Sequence, residues 1–394
     1  MHNPKGCWKE CVAATLALFC ATGLNVNAFS VYIPYLKELL ELTHIQSSNF
    51  ITVRSLFALG SIFIIKFYYE KLEVRFGFTL AIVFAAASAV LYSFARSFEG
   101  LCIAAAVSGL AYGLGGMYPA AILIHRWFPN HEGLAMGICA AGTGFAITVG
   151  APVLTALTEN LGLHTALRLE AGFILLCAIA AFFLIRNYPA GALHPHIARH
   201  AKQQPIRINA MFIAVVFIGV LGVTGFASIS IHYSTEGYDA YRVSLIISAV
   251  GLALTIGKFM MGEVLDLWGA IKTNWLFFSM AILGAILFTF GNTIGFIPSV
   301  IAACLFGAGD SVATVGLTAY AKDLSTLEDY AATQQQYQLG FKLGGLLSGS
   351  VPGLIANYTG TYRGFYLLVA VVTVISTVVI QRSYLRRSKE HVVS

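Results

Sequence analysis

Apolar stretches of about 20 residues or more recur along the whole chain, separated by short polar segments. A helix needs about 20 mainly apolar residues to cross the hydrocarbon core of a bilayer, because each residue adds about 1.5 Å along the axis. The pattern therefore predicts twelve transmembrane helices, the first of them a retained helix rather than a cleaved signal peptide. Their predicted bounds are 11–35, 48–68, 77–95, 100–124, 133–157, 166–185, 208–232, 242–265, 270–290, 296–320, 331–357 and 361–381.

The composition agrees with a membrane protein and excludes several other classes. Hydrophobic residues make up 58% of the 394 positions and charged residues only 11%, whereas soluble domains carry about 25% charged residues. The net charge of +6 is dispersed, without the basic run that is typical of a nucleic-acid-binding protein. The 7 cysteines are an odd number and nearly all lie in apolar stretches, so no disulfide framework is expected.

The predicted helices form two groups of six. The longest polar gap, 186–209, lies in the middle of the chain and is rich in proline and histidine. The predicted organisation is an N-terminal six-helix bundle at 1–185, a cytoplasmic linker at 186–207 and a C-terminal six-helix bundle at 208–394.

A short sequence repeat relates the two groups. The end of helix 2 reads KFYYEKLEVRFG at 66–77, and the end of helix 8 reads KFMMGEVLDLWG at 258–269. Two parallel repeats of six helices are the plan of one large class of secondary transporters. The predicted fold is therefore an all-α integral membrane protein with twelve transmembrane helices in two pseudo-symmetric six-helix bundles around a central cavity.

Lysines and arginines in the loops predict the orientation. With the N-terminus in the cytoplasm, the inner segments hold about three times as many Lys and Arg as the outer loops, as the positive-inside rule requires. All four tryptophans (Trp8, Trp127, Trp268 and Trp275) then lie at the cytoplasmic interface, where aromatic belts form. We predict a multi-pass protein of the cell membrane with N- and C-termini in the cytoplasm.

Four charged side chains lie well inside predicted helices: Arg54, Lys258, Asp310 and Lys342. A charge near the middle of the bilayer costs roughly 2.5–3.5 kcal/mol on insertion scales, so such residues serve function or form internal ion pairs that join helices. Lys258 lies on a face of helix 8 that is small and polar along its length. Lys342 and Gln338 lie on a similar polar face of helix 11. Polar stripes face a cavity or a packed helix rather than lipid. The two lysines and Asp310 leave one positive charge in surplus, which favours a small anion.

The segment that follows helix 8 carries a motif. Gly262, Asp266 and Gly269 resemble the G-x-x-x-D-x-x-G loop signature of the major facilitator superfamily, whereas the copy after helix 2 keeps Gly77 but has Val74 in place of the aspartate. The resemblance implies transport by alternating access, with a gating role for Gly262, Asp266 and Gly269. We expect Asp266 to accept hydrogen bonds from the N-terminus of the next helix and to latch one conformation.

A second resemblance covers about thirty residues. From 113 to 144 the chain reads GLGGMYPAAILIHRWFPNHEGLAMGICAAGTG, which looks like the helix 4–5 region of the oxalate/formate antiporter and monocarboxylate transporter branch of that superfamily. The chain departs from the branch at His131 and Glu132, where basic residues are usual. The residues that match are Tyr118, Pro119, Trp127, Phe128, Pro129, Gly133, Leu134, Ala135 and Gly137.

The branch resemblance implies roles for individual residues. A basic residue of helix 8 and a lysine of helix 11 hold the carboxylates there, so Lys258 and Lys342 are the expected substrate ligands. The helix 8 residue is usually arginine, whose planar fork binds a carboxylate bidentately, and this difference weakens the case for oxalate itself. Asp310 lies outside the simple oxalate pattern, and two roles are open for it: a proton site, or an ion-pair partner for either lysine. Tyr118, the helix 4 tyrosine, either stacks on substrate or is a packed aromatic.

Further candidates complete the predicted substrate site. Gln338 on helix 11 and Asn25 and Tyr32 on helix 1 are expected to contact substrate, with simple packing as the alternative for the helix 1 pair. Lys66, the repeat counterpart of Lys258, resembles one of the paired basic residues of nitrate/nitrite porters. A lysine near the inner end of a helix is more often an interface residue. Arg54 receives no role.

These observations predict a secondary active transporter that moves a small organic anion, a mono- or dicarboxylate, by alternating access. Antiport and proton-coupled symport are both open. The predicted partners are a small anionic substrate, the lipid bilayer and protons, and the predicted transport unit is a monomer. A nitrate/nitrite-type porter is the first alternative, although the asparagine-containing glycine signature of that family is absent from helices 5 and 11.

Two alternatives belong to other classes. A membrane-embedded enzyme needs a nucleophile and base, or a His/Asp metal cluster, inside the spans, and no histidine is predicted to lie deep in a helix. A transporter-like sensor needs a signalling domain, for which the predicted termini are too short. No catalytic residue, metal, cofactor or nucleic-acid partner is therefore expected.

Overall fold

The computed structural model describes residues 8–128, 132–188, 208–325 and 329–393, and the regular elements within these ranges are all helices. Helices α1 to α10 in this part of the chain are long and apolar enough to cross a membrane, if the bent pair that forms α6 counts as one. Their bounds are α1 Trp8–Leu39, α2 His44–Phe94, α3 Phe98–Trp127, α4 Ala135–Leu161, α5 Leu163–Leu184, α6 Ala210–Gly225 with Ile229–Thr235, α7 Ala240–Phe288, α8 Phe296–Leu324, α9 Ala332–Thr359 and α10 Arg363–Arg386.

Two of these helices are long enough to cross the bilayer twice. α2 has 51 residues and α7 has 49, about 75 Å of helix each against a hydrocarbon core of about 30 Å, and each consists of two helices joined at a kink. Each contains one residue with non-helical backbone angles, Glu73 in α2 (φ 56°, ψ 171°) and Gly269 in α7 (φ 73°, ψ 165°). If α2 holds predicted helices 2 and 3, and α7 holds 8 and 9, the ten helices agree with twelve crossings. The all-α membrane fold is thus confirmed.

Both double-length helices begin at a side-chain cap. Thr43 precedes α2, where its hydroxyl accepts the backbone N–H of Gln46 at 3.2 Å and the Gln46 side chain accepts the backbone N–H of Thr43 at 3.0 Å. Asp239 precedes α7 and accepts the backbone N–H of Arg242 at 2.9 Å. Such caps satisfy N–H groups that the first helical turn leaves without partners. The polar residues between apolar stretches therefore fix where these crossings start.

The break in α2 occurs at Glu73, a residue type that strongly disfavours the backbone angles found there. Positive φ with ψ near 180° is a region that glycine adopts readily and other residues rarely do, so Gly269 fits its position and Glu73 is strained. The side-chain amide of Asn187, which follows α5, bonds to this strained segment through both its nitrogen and its oxygen. Its amide nitrogen donates to Glu73 Oε2, and its amide oxygen accepts the backbone N–H of Arg75 at 2.8 Å.

The chain divides into two compact units, Met1–Ala198 and Arg199–Ser394. The dividing point falls inside the predicted linker at 186–207, most of which lies outside the described residues. In the N-terminal unit, α2 and α3 pack backbone to backbone. A side chain at Gly109 would collide with the backbone oxygen of Arg54, so this contact fixes the position of α2.

In the C-terminal unit, α6 and α9 make a similar contact. A side chain at Gly219 would collide with the backbone oxygen of Phe341, and one at Gly344 would collide with the backbone oxygen of Val216. Glycines let helix backbones approach closely, as is common in membrane bundles. This packing sets the depth and rotation of α9 and hence the position of its lysine.

Candidate functional site

The first helix of each half contains a π-helical segment. These segments are Phe19–Asn27 in α1 and Val220–Gly225 in α6. α8 departs from α-helical geometry as well, with a 3₁₀ turn at Asp310–Ala313. Mid-helix departures of this kind are frequent at functional sites. α1 also contains a 3₁₀ turn at Ala28–Tyr32, so two of these four departures lie in each half.

Lys258, Asp310 and Lys342 lie deep in three different helices of the C-terminal half. Lys258 is about 16 Å from the break in α7, and Lys342 is about 18 Å from the start of its helix at Tyr330, at 1.5 Å per residue. Asp310 is near the midpoint of α8. Lys258 is 8% exposed and Asp310 5%, while Lys342 is partly exposed. All three charges thus lie away from the ends of their helices, and their depth in the bilayer stays a prediction.

Gly222 is the point at which α6, α8 and α9 meet. A Cβ atom at Gly222 would lie 2.8 Å from Asp310 Oδ1, 2.8 Å from the Cβ of Ala313 and 3.1 Å from the ring of Phe341. Asp310 and the residue before Lys342 therefore both pack against the same glycine. Gly222 could not be recognised from the sequence, because a glycine in an apolar stretch does not reveal which side chains surround it.

Lys258 and Asp310 lie within electrostatic range of each other. Asp310 Oδ1 is buried without a hydrogen-bond partner among the described residues. Next to them, α7 and α8 are in close contact, since a Cβ atom at Gly257 would lie 2.6 Å from Ser311 Oγ. The structure thus brings Asp310 near Lys258, while both of its predicted roles stay open.

Asn25 is held by a hydrogen-bond network inside the N-terminal half. Its amide nitrogen donates to the backbone oxygens of Ala21 and Ser108, both at 3.1 Å, and its amide oxygen accepts from Ser88 Oγ at 2.9 Å. Asn25 is only 4% exposed. These bonds tie α1 to α2 and α3, and substrate contact by Asn25 stays a prediction.

The two candidate tyrosines have opposite environments. Tyr32 is fully buried, with its ring 5.7 Å from that of Phe29 and its hydroxyl near Glu170 of α5. Tyr118 is 42% exposed, and its ring lies 6.1 Å from that of Tyr69. An exposed aromatic face can stack on a solute, whereas a fully enclosed one serves packing. Tyr118 is therefore the accessible ring of the two, and substrate contact by either residue stays a prediction.

The remaining candidates lie on accessible surfaces. Gln338 is partly exposed on α9. Gly262 has open space where a side chain would stand, and Gly269 forms the break in α7. Asp266 is exposed and makes no hydrogen bond or ion pair within the described residues, so the latch stays a prediction. Lys66 is exposed too, which fits an interface residue.

The expectation that no histidine lies deep in a helix stays a prediction, because His232 lies in the last turn of its helix. His232 is fully buried in Ile229–Thr235, and one of its ring nitrogens lies 2.9 Å from the backbone oxygen of Phe288. The sequence placed it at the end of helix 7, where aromatic rings enclose it. The Tyr366 ring is 4.9 Å away. The spacing of His232 and Glu236, one helical turn apart, was the available signal.

Glu236 follows α6 and forms an ion pair with α10. Arg363 Nε donates to Glu236 Oε1 at 2.8 Å, and Arg363 Nη2 donates to Oε2. The backbone N–H of Asn292 also donates to Oε2, at 3.4 Å. Burial by itself would raise the pKa of Glu236, but these hydrogen bonds outweigh it and hold that pKa below its usual value. The carboxylate therefore stays ionised and ties the ends of three segments together.

Across the residues that the structure describes, no group of three or more His, Cys, Asp or Glu side chains could hold a metal ion. The repeated membrane crossings, with buried charges in the middle of α7 and α8, define a polytopic helical membrane protein of the transporter class. The chain belongs to the Major Facilitator Superfamily, whose family model matches residues 15–326 and 212–394. Membership in this family indicates a transporter rather than an enzyme.

The curated relatives cover only part of the chain. Monocarboxylate transporter 12 of Xenopus laevis is 32% identical over 128 residues, which is 32% of this chain and 28% of that protein. The purine ribonucleoside efflux pump NepI of Escherichia coli (strain K12) is 22% identical over 266 residues, 66% of this chain and 65% of the pump. The chain thus spans less than two thirds of the length of these relatives.

Two solved structures share the fold over nearly the whole chain. The nucleoside transporter NupG has a TM-score of 0.71 at 14% identity, covering 97% of this chain and 99% of that one. A bacterial homolog to the human lysosomal transporter Spinster, inward-facing and unoccupied, has a TM-score of 0.69 at 15% identity and covers 97% of each chain. Such low identities show the fold alone.

Proposed function

We propose that this chain is a secondary active transporter that moves a small organic anion, a mono- or dicarboxylate, across the cell membrane by alternating access. The observation that carries the proposal is the placement of Lys258, Asp310 and Lys342 at depth in α7, α8 and α9. No chemical bond is made or broken in this function. The transport unit is a monomer, and both termini lie in the cytoplasm.

The charge balance of this site supports an anion. Two lysines and one aspartate leave a net charge of about +1, and removing charges from water is costly unless opposite charges compensate them. A carboxylate that enters the site supplies the compensating charge and accepts charge-assisted hydrogen bonds from the ammonium groups. The site is thus matched to a solute that carries at least one negative charge.

The relatives name two kinds of solute. One is a monocarboxylate transporter by name, and another is a purine ribonucleoside efflux pump. A nucleoside is uncharged at neutral pH and gains little from the charges of two lysines, whereas a carboxylate gains from both. The lysine site therefore supports the carboxylate. Nitrate is also an anion, but the asparagine-containing glycine signature of nitrate/nitrite porters is absent from this chain.

In this proposal, Asp310 determines whether movement of the anion is coupled to a proton or to a second anion. It lies within electrostatic range of Lys258, so its charge state alters how strongly that lysine attracts an anion. If Asp310 takes up and releases a proton, anion and proton move together as in symport. If it remains an ion-pair partner, the anion itself triggers the conformational change and exchange results.

The other predicted residues support transport from outside the charged site. Tyr118 offers an aromatic face and Gln338 a hydrogen-bonding amide to the solute. Asp266, with Gly262 and Gly269, acts at the break in α7, where a small change of backbone angles reorients the two crossings. Gating at that point makes the site accessible to one side of the membrane at a time.

Transport by the purified protein in proteoliposomes tests the proposal. The labelled probes are lactate, malonate, nitrate and inosine, each at two external pH values and with or without the unlabelled solute inside. We expect uptake of lactate or malonate; stimulation by an inward proton gradient indicates symport, and stimulation by internal anion alone indicates antiport. Uptake of inosine or nitrate without either carboxylate would overturn the proposal.

A further inference from the structure

The N-terminal half buries a guanidinium group that the lysine site does not use. Arg54 is 2% exposed and lies in the first crossing of α2, about 15 Å from the start of that helix at His44. Its terminal nitrogens, Nη1 and Nη2, make no hydrogen bond within the described part of the chain. A guanidinium is always charged in proteins, so its burial without a partner is costly.

The backbone around Arg54 fixes its position. Gly109 of α3 faces the backbone oxygen of Arg54 with no room for a side chain, and the side chain of Phe57 also lies 2.9 Å from where a Cβ atom of Gly109 would stand. α2 and α3 are thus in direct contact at this level. The guanidinium cannot reach another partner by a shift of its helix without breaking that contact.

A second unpaired group lies beside it. Tyr92, in the second crossing of α2, is within electrostatic range of Arg54, and its hydroxyl is buried without a hydrogen-bond partner among the described residues. The Tyr92 ring packs on Phe29 with centroids 4.3 Å apart, and it lies 6.4 Å from the ring of Phe50. The guanidinium of Arg54 and the hydroxyl of Tyr92 therefore lie within electrostatic range of each other. The ring of Tyr92 packs near the rings of Phe29 and Phe50.

Other buried charges of this half do not neutralise Arg54. Glu10 is paired with Arg186 at 2.6 Å. Glu170 is buried in α5 near Tyr32, and within the described residues it forms no ion pair with Arg54. Glu10 and Glu170 thus supply no counter-charge to Arg54 in the described part of the N-terminal half.

We infer that Arg54 and Tyr92 form an anion-binding site in the N-terminal half, which takes a carboxylate attached to a small apolar body. The planar guanidinium donates two parallel hydrogen bonds to both carboxylate oxygens, and Tyr92 donates a third. The rings of Phe29 and Phe50 contact the apolar part. The identity of the ligand as a carboxylate rests on the proposed function; the existence of an anion site does not, because it follows from the unpaired guanidinium.

Equilibrium binding to the purified full chain tests the inference. Labelled lactate and malonate are the probes, and the melting temperature is recorded with and without each anion. Arg54→Gln should weaken binding about ten- to a hundredfold, as expected for loss of a charge-assisted hydrogen-bond pair. Arg54→Lys keeps the charge and loses the fork, so it should fall between Arg54→Gln and wild type. Tyr92→Phe should weaken binding about two- to tenfold. Arg96→Gln, an exposed arginine of the same half, is the matched control and should bind as wild type.

The outcomes separate this inference from the proposed function. Wild-type affinity in Arg54→Gln, with a changed melting temperature of the anion-free protein, would show a structural arginine and overturn the inference. The same measurement on the double variant Lys258→Gln plus Lys342→Gln reports on the lysine site alone. Loss of affinity there, with none in Arg54→Gln, refutes the inference and leaves the proposed function standing. The reverse pattern supports the inference and refutes the lysine site.

Discussion

At the scale of single residues, the two lysines of the C-terminal half differ in environment. Lys258 is buried within electrostatic range of Asp310, whereas Lys342 is partly exposed on α9. Lys66, the counterpart of Lys258 in the sequence repeat, is exposed. The same residue type thus occupies a buried and an exposed position at equivalent points of the two halves, and this provides an internal comparison.

Lys258→Gln and Lys342→Gln should each weaken lactate or malonate binding about ten- to a hundredfold. The reason is that each change removes one charge-assisted hydrogen bond, which contributes roughly 1.5–3 kcal/mol, and about 1.4 kcal/mol is a factor of ten. Lys66→Gln removes the same charge from the exposed counterpart and should leave affinity unchanged. Equilibrium binding with the purified variants measures all three.

Lys258→Arg and Asp310→Asn sharpen this comparison. Lys258→Arg keeps the charge and adds a fork that suits a carboxylate, so it should bind better than Lys258→Gln. Asp310→Asn should not weaken binding comparably, and if Asp310 carries a proton it should abolish uptake driven by a proton gradient while sparing counterflow. Wild-type affinity in the double Lys→Gln variant would show that the lysines are structural.

The charged residues of the candidate site could be predicted from the sequence because a charge in an apolar stretch is costly wherever the helix lies. Lys258, Asp310 and Lys342 were found in this way, and each lies in the interior of a helix. Gly222 could not be found, because its role depends on neighbours that only the fold brings together. The burial of His232 was missed because the residues that contact it lie on other helices.

At the scale of helices, close contacts between backbones set the geometry of the site. Gly222 illustrates this most directly, since Asp310, Ala313 and Phe341 all surround it. The packing of α6, α8 and α9 at this point therefore requires a residue without a side chain. The break in α2 is a different case. The repeat predicts equivalent points in the two halves, yet the non-helical residue is Glu73 in one and Gly269 in the other, and these are not equivalent positions.

Gly222→Ala should displace Asp310, because the new methyl group would stand 2.8 Å from both Asp310 Oδ1 and the Cβ of Ala313. We expect a loss of about 1–3 kcal/mol of stability from overpacking and weaker anion binding. Gly60→Ala is the matched control, since nothing lies within 4 Å of its new Cβ, and it should be neutral or slightly stabilising. Thermal unfolding and equilibrium binding measure the stability and anion affinity of both variants. If the two variants are equally stable and bind equally well, Gly222 does not position Asp310.

Asp266→Asn should lower the transport rate more than it changes substrate affinity. Asp266 is exposed in this conformation, so the predicted latch would form only when the break in α7 closes onto the next crossing. Removing the charge weakens its attraction to that helix N-terminus. Turnover and apparent affinity in proteoliposomes, at equal protein content, measure the effect. Unchanged turnover would rule out the latch.

At the scale of the whole molecule, twelve predicted crossings account for the pattern of apolar stretches, and the fold agrees with known structures of the superfamily. This much could be predicted because a bilayer imposes one length on every crossing. The identity of the solute could not, since it depends on a few side chains whose surroundings differ among relatives with the same fold.

Reporter fusions at Ser394 and within 186–207 should give cytoplasmic signals. The basis is the excess of Lys and Arg in the predicted inner segments, which holds those segments on the cytoplasmic side. An alkaline phosphatase and a fluorescent protein fused at each position report opposite sides of the membrane. A fusion in the predicted outer loop at 96–99 is the control. An external signal from either inner position would contradict the arrangement of two bundles of six.

The course of α2 and α7, each a pair of helices joined at a kink, also constrains biosynthesis. Each runs for 51 or 49 residues with a single non-helical residue instead of a polar loop. At about 5–20 residues per second, a ribosome completes such a segment in roughly 3–10 seconds, so both crossings are available to the insertion machinery together. Lys71 and Arg75 flank the break in α2, and their positive charges hold it on the ribosome's side while the pair enters the membrane as a hairpin.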